Sequence, residues 1–276
     1  MGAIIPGMPL PILNVTSAPT TETLLRYYHQ LQTKWTEHTS QSTPFDFGTA
    51  WASPQLSRVY MANRVVDVAL ADDTTPLSAI EQIEQHYASV GAQVWQWVMN
   101  PSAPPEQTRP MIESLLAGGY ESSSHDIMYL ERIPAALLAG DHPPIQIIPA
   151  RASFKHARQL NEQAAARWNE PQLADAGMAH LDDPHYDALL ALQDGQPAAY
   201  IGVLSMGEVG MIEDVFVAEP FRRKGIGTTM MSRAIEICAR SLFKHIMLGV
   251  MQNNTPAINL YQKFGLRKIG EMVSYY

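Results

Sequence analysis

The sequence predicts a mixed α/β fold built from two consecutive halves. Short segments with alternating apolar residues, typical of strands, are separated by segments with apolar residues every three or four positions, typical of helices. A stretch rich in proline and glycine around residues 134–144 interrupts this pattern, which then restarts. There is also a weak repeat, because "MIESLLAGGYESSSHDIMYL" aligns with "AINLYQKFGLRKIGEMVSYY" when Gly119 is placed on Gly265. We therefore expect a first domain at residues 1–140 and a second at residues 141–276.

The first half is expected to begin with an amphipathic helix. In "TETLLRYYHQLQTKW" one helical face carries four large residues, Leu24, Tyr28, Leu31 and Trp35. The polar stretch "TSQSTPFDFG" is expected to be a loop. The strand "RVVDVAL", the helix "LSAIEQIEQHYASV" and the strand "AQVWQWVM" follow. A helix "RPMIESLLAGGY", with Pro110 in its first turn, and a strand "DIMYLERI" complete this half.

The second half repeats this order with an additional meander. The strand "IQIIPA" and the helix "SFKHARQLNEQAAARW" precede three strands in "YDALLALQDGQPAAYIGVLSMGEVGMIEDVFVAEPF". The helix "GIGTTMMSRAIEICARSLF" has apolar residues at core spacing, namely Ile226, Met230, Ala234 and Ile237. The strand "KHIMLGVM", the helix "PAINLYQKFG" and the strand "RKIGEMVSYY" close the chain.

Composition limits the classes of function. The formal net charge of −8 over 276 residues makes general nucleic-acid binding improbable, because an acidic surface repels phosphate backbones. Cys238 is the single cysteine, so neither a disulfide framework nor a thiolate metal site is expected. The start "MGAIIPGMPLPIL" lacks a cationic region and is broken by prolines, which is atypical of a signal peptide. No apolar run is long enough to cross a membrane, so we expect a cytoplasmic protein.

One strand-to-helix turn combines glycine with positive charge. In "VFVAEPFRRKGIGTTMM" the alternating pattern ends at Pro220, and Gly225 and Gly227 open the next helix. Three cations, Arg222, Arg223 and Lys224, lie between Pro220 and Gly225. The first N–H groups of a helix lack intrahelical acceptors, and glycine lets an anion approach them closely. The turn therefore predicts a diphosphate site, although an ordinary exposed helix start remains an alternative.

The corresponding positions of the first half have a different chemistry. Its turn "ADDTTPL" carries Asp72 and Asp73, which would repel an anion. In the aligned repeat, Leu115 stands where the second half has Tyr261. We expect the first half to lack a ligand site of this kind.

Two motifs of the second half resemble those of the GNAT acetyltransferase superfamily. "VAEPFRRKGIGTTMM" is similar to its pyrophosphate-binding motif, with Arg222, Gly225 and Gly227 at the three fixed positions. "NNTPAINLYQKFGL" resembles its second signature, matched by Asn254, Ala257, Leu260, Tyr261 and Gly265, whereas Leu266 replaces the usual Phe. The resemblance covers roughly residues 145–276. It implies a mostly antiparallel central sheet flanked by helices, with the first half as a degenerate, non-catalytic copy in a tandem arrangement.

The resemblance also implies the cofactor and its contacts. Acetyl-CoA would be the acetyl donor, and no metal is required. Its diphosphate would bind the backbone of residues 222–228, that is Arg222, Arg223, Lys224, Gly225, Ile226, Gly227 and Thr228. The pantetheine arm would pair with the strand edge at Val215, Phe216 and Val217. Asn254 would contact pantetheine or a strand carbonyl; alternatively it is a turn residue before a helix that Thr255 caps.

Two residues are the candidate catalysts under this resemblance. Tyr261 matches the general acid that protonates the leaving thiolate, and Glu213 matches a base acting on the amine directly or through water. A half-buried packing tyrosine and a solvated acidic pair are the structural alternatives. Because neighbouring strand residues point to opposite faces, we expect only one of Glu213 and Asp214 to face the acetyl group, and we prefer Glu213.

The acceptor is expected to be a primary amine of a small molecule. The loop "AHLDDPHYD" contains His180, Asp182, Asp183 and His185, which fit the acceptor side better than a metal site. Trp168 would line the same pocket or, more simply, pack in the core. The alternatives are a protein N-terminal acetyltransferase and a non-catalytic acyl-CoA-binding regulatory module. The sequence is compatible with a monomer or a homodimer.

Overall fold

The strands of both halves form one continuous sheet in the computed structural model, which describes residues 19–133 and 143–276. Its eleven described strands are β1 (Gln41–Phe45), β2 (Gly48–Ala52), β3 (Arg64–Val68), β4 (Gln96–Met99), β5 (Ser122–Leu130), β6 (Gln146–Pro149), β7 (Tyr186–Gln193), β8 (Gln196–Met206), β9 (Val209–Val217), β10 (His245–Met251) and β11 (Leu266–Tyr275). The described α-helices are α1 (Thr21–Glu37), α2 (Pro76–Val90), α3 (Pro105–Ala117), α4 (Phe154–Ala166), α5 (Gln172–Ala179), α6 (Ile226–Arg240) and α7 (Thr255–Lys263).

The expected mixed, mostly antiparallel sheet flanked by helices is confirmed. The strand order is β1-β2-β3-β4-β11-β5-β10-β9-β8-β7-β6. Two parallel pairs, β3–β4 and β9–β10, interrupt the antiparallel pairing. Neighbouring strand residues point to opposite faces, so Leu190 packs in the core cluster that contains α1 and α4, and Ala191 in the cluster that contains α6 and α7.

The two halves exchange their last strands. β5 of the first half lies between β10 and β11 and is antiparallel to both. β11 of the second half pairs in turn with β4, through Ser274 opposite Val98. The sheet is therefore shared, and the division at residues 140 and 141 stays a prediction. The segment expected to separate the halves lies largely in residues 134–142, outside the described part of the chain.

Helix α1 packs across the second half of the sheet. It buries the face that the sequence predicts, including Leu24, Tyr28 and Leu31. Two glycines of the opposing strands allow this close approach. A Cβ at Gly249 would collide with the Tyr28 hydroxyl, and one at Gly270 would lie 2.7 Å from a Leu25 methyl group. This packing brings first-half side chains to the carboxyl end of β9.

Three secondary-structure predictions were wrong in detail. The predicted loop contains β1 and the first residue of β2, and these two strands pair as a hairpin at the edge of the sheet. The short helix α5 had no predicted counterpart. Helix α3 begins at Pro105, which places Pro110 inside it. Because Pro110 follows the first turn, only the hydrogen bond to the Glu106 carbonyl is lost there, and the helix continues.

Candidate active site

The turn between β9 and α6 presents unpaired backbone donors. Gly225 precedes the first helical residue with φ 80°, a left-handed conformation that favours glycine. Within the described residues no side chain caps this helix, and the N–H groups of residues 226–228 have no backbone acceptor. A Cβ at Gly227 would make ordinary contacts of 3.6 Å with Leu260 and Val217, so the protein interior does not require glycine there. The geometry fits a diphosphate above the helix N-terminus.

The three cations of this turn have different surroundings. Arg222 Nε donates a hydrogen bond of 3.0 Å to the Val217 carbonyl, which ties the loop to the end of β9. Lys224 Nζ lies 5.5 Å from the centre of the Phe221 ring. Arg223 has φ 58°. All three cations are exposed at the rim, where their charge attracts an anion.

The equivalent turn of the first half is internally satisfied. Thr75 caps α2, and its hydroxyl accepts a hydrogen bond of 3.3 Å from the Ser78 N–H. Pro76 takes the first helical position and has no N–H to offer. Together with the acidic Asp72 and Asp73, this leaves an anion few donors to bind.

The parallel strand pairs of the two halves also differ. β9 pairs with β10 only from Val209 to Met211 in the described structure, so the remainder of β9 has an open edge on that side. In the first half the pairing of β3 with β4 extends to Val68, whose carbonyl also accepts from the Asn100 N–H at 3.0 Å. Of these two described parallel pairs, only β9 and β10 therefore leave a gap between their strands. Val215, Phe216 and Val217 lie along this gap.

A β-bulge turns two neighbouring carboxylates towards one cavity. The pairing of β8 and β9 shifts register between Tyr200 and Gly202, and Asp214 has φ 55° at this point. Glu213 and Asp214 consequently line the same cavity. The expectation that only one of them would face the site was wrong, because a bulge interrupts the alternation of side chains.

Glu213 is held by a residue of the first half. Gln32 Nε2 donates a hydrogen bond of 3.2 Å to Glu213 Oε1. The fully buried Arg64 donates in turn to the Gln32 carbonyl. Burial, with a contribution from the charge of Asp214, raises the pKa of Glu213 to about 8, although Gln32 and Arg64 oppose this change. A carboxyl with this pKa can exchange a proton near neutral pH.

Asp214 has a separate partner. The Tyr186 hydroxyl donates a hydrogen bond of 2.7 Å to Asp214 Oδ2. Although part of the residue is exposed to solvent, desolvation of its carboxyl raises the pKa of Asp214, and this hydrogen bond acts against the increase. The ring of Tyr186 reaches this position because Gly202 of β8 leaves room for it. The two carboxyls form a coupled pair at the end of the cavity.

Tyr261 lies on α7 and is almost fully buried. Burial raises the pKa of its phenol well above the usual value, with a smaller contribution from Glu213. The phenol is therefore protonated at neutral pH and can act as a donor. Asn254 caps α7, and its side chain accepts from the Ala257 N–H at 3.4 Å. The expectation that Thr255 caps this helix was wrong, since Thr255 is its first residue.

The cavity at the two carboxylates has walls from both halves. Its volume is about 220 Å³, and first-half residues at its walls include Trp35, Tyr60 and Met61. A second cavity of about 170 Å³ adjoins it, shares Asp214 and Trp168 with it, and reaches Val215 and Phe216 on the open strand. The two cavities thus connect the expected cofactor edge with the carboxylates. No local motif indicated the first-half residues, because they contribute through packing of distant segments.

Two rings at the cavity, those of Trp168 and His180, have opposite exposure. Trp168 is 61% exposed and lines both cavities, so the alternative that it packs in the core was wrong. His180 is buried, with its ring stacked 3.4 Å from that of Trp35. Burial and the neighbouring His38 lower the pKa of His180 to about 3, which keeps its imidazole uncharged.

The remaining members of the His/Asp loop do not line this cavity. Asp183 is buried and accepts a hydrogen bond of 2.8 Å from the His185 N–H. Asp182 is exposed. Among the described residues, no group of three or more His, Cys, Asp or Glu side chains could hold a metal ion. None of the described helices has the length and apolarity to cross a membrane.

The chain matches an acetyltransferase family. The model of the acetyltransferase (GNAT) family matches residues 154–266, which include β9, the glycine turn and α7. Residues 154–266 belong to the GNAT acetyltransferase family. A protein of Bacillus subtilis named as a ribosomal protein bS18-alanine N-acetyltransferase is 29% identical over 96 residues, or 35% of this chain and 64% of that protein. N-alpha-acetyltransferase 50 of Danio rerio is 43% identical over 58 residues, or 21% and 34% of the two chains. The chain thus spans less than two thirds of both GNAT relatives.

Solved structures extend the GNAT likeness to most of the fold. A GCN5-related N-acetyltransferase from Kribbella flavida superimposes with a TM-score of 0.59 at 15% identity, covering 90% of this chain and 93% of that one. A tandem GNAT protein from the clavulanic acid biosynthesis pathway has a TM-score of 0.55 at 15% identity, covering 77% and 74%. At these identities the likeness concerns the fold alone.

Proposed function

We propose that the protein transfers an acetyl group from acetyl-CoA to a primary amine by direct attack in a ternary complex. The observation that carries this proposal is the series of three features along one strand. The donor-rich turn at Gly225 follows the open edge of β9, and that edge leads to the cavity with Glu213. Acetyl-CoA would supply the activated acetyl thioester. The order of these features along the strand fits a cofactor with a diphosphate at one end and a reactive group at the other.

The cofactor would be held mainly by backbone groups. The N–H groups of residues 225–228 would bind the diphosphate, with charge from Arg222, Arg223 and Lys224. Val215, Phe216 and Val217 would pair with the amides of pantetheine as an added strand does. Since the Asn254 side chain caps α7, we assign it the role of fixing the helix that carries Tyr261.

Glu213 and Tyr261 would move the protons of the reaction. Glu213 would accept a proton from the ammonium group, directly or through water, so that the amine nitrogen can attack the thioester carbonyl. The C–N bond forms and the C–S bond breaks. Tyr261 would donate its proton to the departing thiolate and would be reprotonated by the extra proton of the attacking nitrogen, which leaves a neutral amide and the free thiol. The raised pKa of Glu213 suits a group that takes up a proton near pH 7.

Two other functions have support. An N-terminal amine of a protein is an alternative acceptor, since relatives are named as N-alpha-acetyltransferases and as an alanine N-acetyltransferase of a ribosomal protein. A regulatory module that binds acyl-CoA without turnover would need neither Glu213 nor Tyr261 at this site. The position of Glu213 on an open cavity favours an enzyme.

The test is thiol release from acetyl-CoA in the presence of a panel of primary amines. Tyr261→Phe and Glu213→Gln should each lower kcat about 100-fold or more, because general acid–base catalysis contributes at least this factor. Tyr120→Phe and Glu81→Gln, on the first half and outside the cavity, are matched controls and should keep the wild-type rate. Rates unaffected by the first two substitutions would contradict the assigned roles.

A further inference from the structure

The cavity between the halves has an acidic end, and most of its other lining residues are apolar, with Asn161 and His180 as polar exceptions. Glu213 and Asp214 form the acidic end. The remaining lining is largely aromatic and aliphatic, with Trp35, Tyr60 and Trp168 as its largest members. No lysine or arginine is among the described residues that line it. A ligand that fits this distribution is charged at one end and apolar at the other.

The charges favour an ammonium group and disfavour a carboxylate. An ammonium beside Glu213 and Asp214 would be paired, and its charge would in turn favour their ionised forms. A carboxylate held within this cavity would meet no cation on its wall, since Arg167 is among the lining residues of the adjoining cavity only, and it would lose hydration without compensation. The uncharged imidazole of His180 adds no positive charge to the cavity. An α-amino acid is therefore a poor acceptor.

The aromatic residues favour a flat apolar body. Trp35 is held rigidly, stacked on His180 and edge-to-face with Tyr186 at 5.0 Å. Trp168 lies at the opening and exposes 61% of its surface, so a ligand could cover its ring. The imidazole Nδ1 of His180 is buried without a hydrogen-bond partner in the described structure. The wall opposite α4 and α5 comes from α1 and from residues 59–61 of the first half.

This cavity has little room for a long chain beyond the amine. The first-half segment that forms its wall is tied to the second half by an Arg58–Glu170 ion pair of 2.8 Å. A hydrogen bond of 2.9 Å from the Arg58 N–H to Gln172 Oε1 lies beside it. His38 Nε2 contacts the Ala179 carbonyl at 2.9 Å. These contacts hold the first-half wall against the second half, and the cavity volume of about 220 Å³ suits a small molecule better than a peptide.

On the basis of the acetyltransferase function above, we propose that the acceptor is a small arylalkyl primary amine without a carboxylate. The ammonium group lies at Glu213 and Asp214. The ring packs against Trp168 and the first-half wall formed by Trp35, Tyr60 and Met61. The non-catalytic half thereby sets the acceptor specificity of the catalytic half.

The experiment compares four acceptors in thiol release with saturating acetyl-CoA. These are 2-phenylethylamine, phenylalanine, putrescine and a peptide that begins with phenylalanine. We expect kcat/KM for 2-phenylethylamine to exceed that for phenylalanine about 100-fold, the cost of an unpaired buried charge. It should exceed the values for putrescine and the peptide about tenfold or more. Equal or better use of phenylalanine, putrescine or the peptide would overturn the proposal.

Trp168→Ala tests the aromatic contact with little risk to folding, because the side chain is exposed. It should raise KM for 2-phenylethylamine about tenfold and leave KM for acetyl-CoA unchanged. Leu77→Ala, at a residue on α2 that is 68% exposed, is the matched control and should change neither value. An unchanged KM in Trp168→Ala counts against this acceptor. Thiol release with another amine alone would refute the acceptor class but keep the acetyltransferase; no release with any amine would refute both.

Discussion

Replacing Asp214 by Asn should move the pH dependence of acetyl transfer to lower pH. Asp214 contributes to the raised pKa of Glu213 because a like charge disfavours a second ionised carboxylate. Asn tolerates the left-handed φ of 55° at this bulge, and its amide oxygen can still accept the hydrogen bond from Tyr186. The substitution therefore removes a charge with little change of structure.

The magnitude follows from the electrostatics of the pair. With a pKa of about 8, roughly one tenth of Glu213 is ionised at pH 7, and kcat/KM should rise about tenfold per pH unit below pH 8. Repulsion by Asp214 is the second contribution to this raised pKa after burial, and a charge within roughly 4–6 Å typically shifts a pKa by about 1–3 units. Removing this repulsion should lower the apparent pKa by about 1–2 units.

A second variant should act in the opposite direction. Gln32→Leu removes the hydrogen bond to Glu213 Oε1, which stabilises the ionised form. A hydrogen bond to a charged group contributes about 1.5–3 kcal/mol, so the apparent pKa should rise by about 1–2 units. The assay is kcat/KM for thiol release between pH 5.5 and 9.5. Shifts in the same direction, or no shift in either variant, would refute the assignment of Glu213 as the base.

Further predictions concern cofactor binding and stability. Gly227→Ala should weaken acetyl-CoA binding about tenfold or more by calorimetry while the melting temperature is kept, because its Cβ meets the protein only at 3.6 Å but would obstruct a diphosphate. Titration with CoA should give one site per chain, since the first-half turn is capped by Thr75; two sites would contradict this. Glu213 has a folded pKa raised to about 8, so its protonated form stabilises the fold below about pH 4.5, and this contribution is lost as pH rises through 8. Glu213→Gln should therefore raise the melting temperature at pH 8.5 and change it little at pH 5; the reverse order would exclude this linkage. Gly249→Ala should lower the free energy of unfolding by roughly 2 kcal/mol or more in denaturant titrations, because α1 cannot keep its contact through Tyr28.

Periodicity predicted the elements whose packing is local and regular. The buried face of α1, with Leu24 and Leu31, follows directly from helical spacing. A diphosphate site at the glycine turn was predicted because the first N–H groups of a helix lack intrahelical acceptors and glycine lets an anion approach them. The N–H groups of residues 226–228 have no backbone acceptor in the described structure, and the site itself stays a prediction. The edge strand β1 was not predicted because its Ser, Thr and Pro content resembles a loop, and edge strands tolerate such residues.

The composition of the acceptor cavity could not be predicted from local patterns. The stacking of Trp35 on His180 joins residues from separate halves, and neither segment carries a signal for the other. The bulge at Asp214 changes which side chains face the cavity, yet the alternating pattern of β9 gives no sign of it. Long-range packing and one irregular residue thus determine the part of the site that would meet the proposed amine.

The interleaved strands have a consequence for how the chain folds during translation. Leu130 of β5 pairs with Leu266 of β11, so these contacts close a very long loop. During translation, β4 and β5 of the first half therefore cannot be joined through β11 until nearly all of the second half has been synthesised. We expect neither half to be stable when expressed alone. The full chain should unfold in a single cooperative transition, because each half completes the sheet of the other.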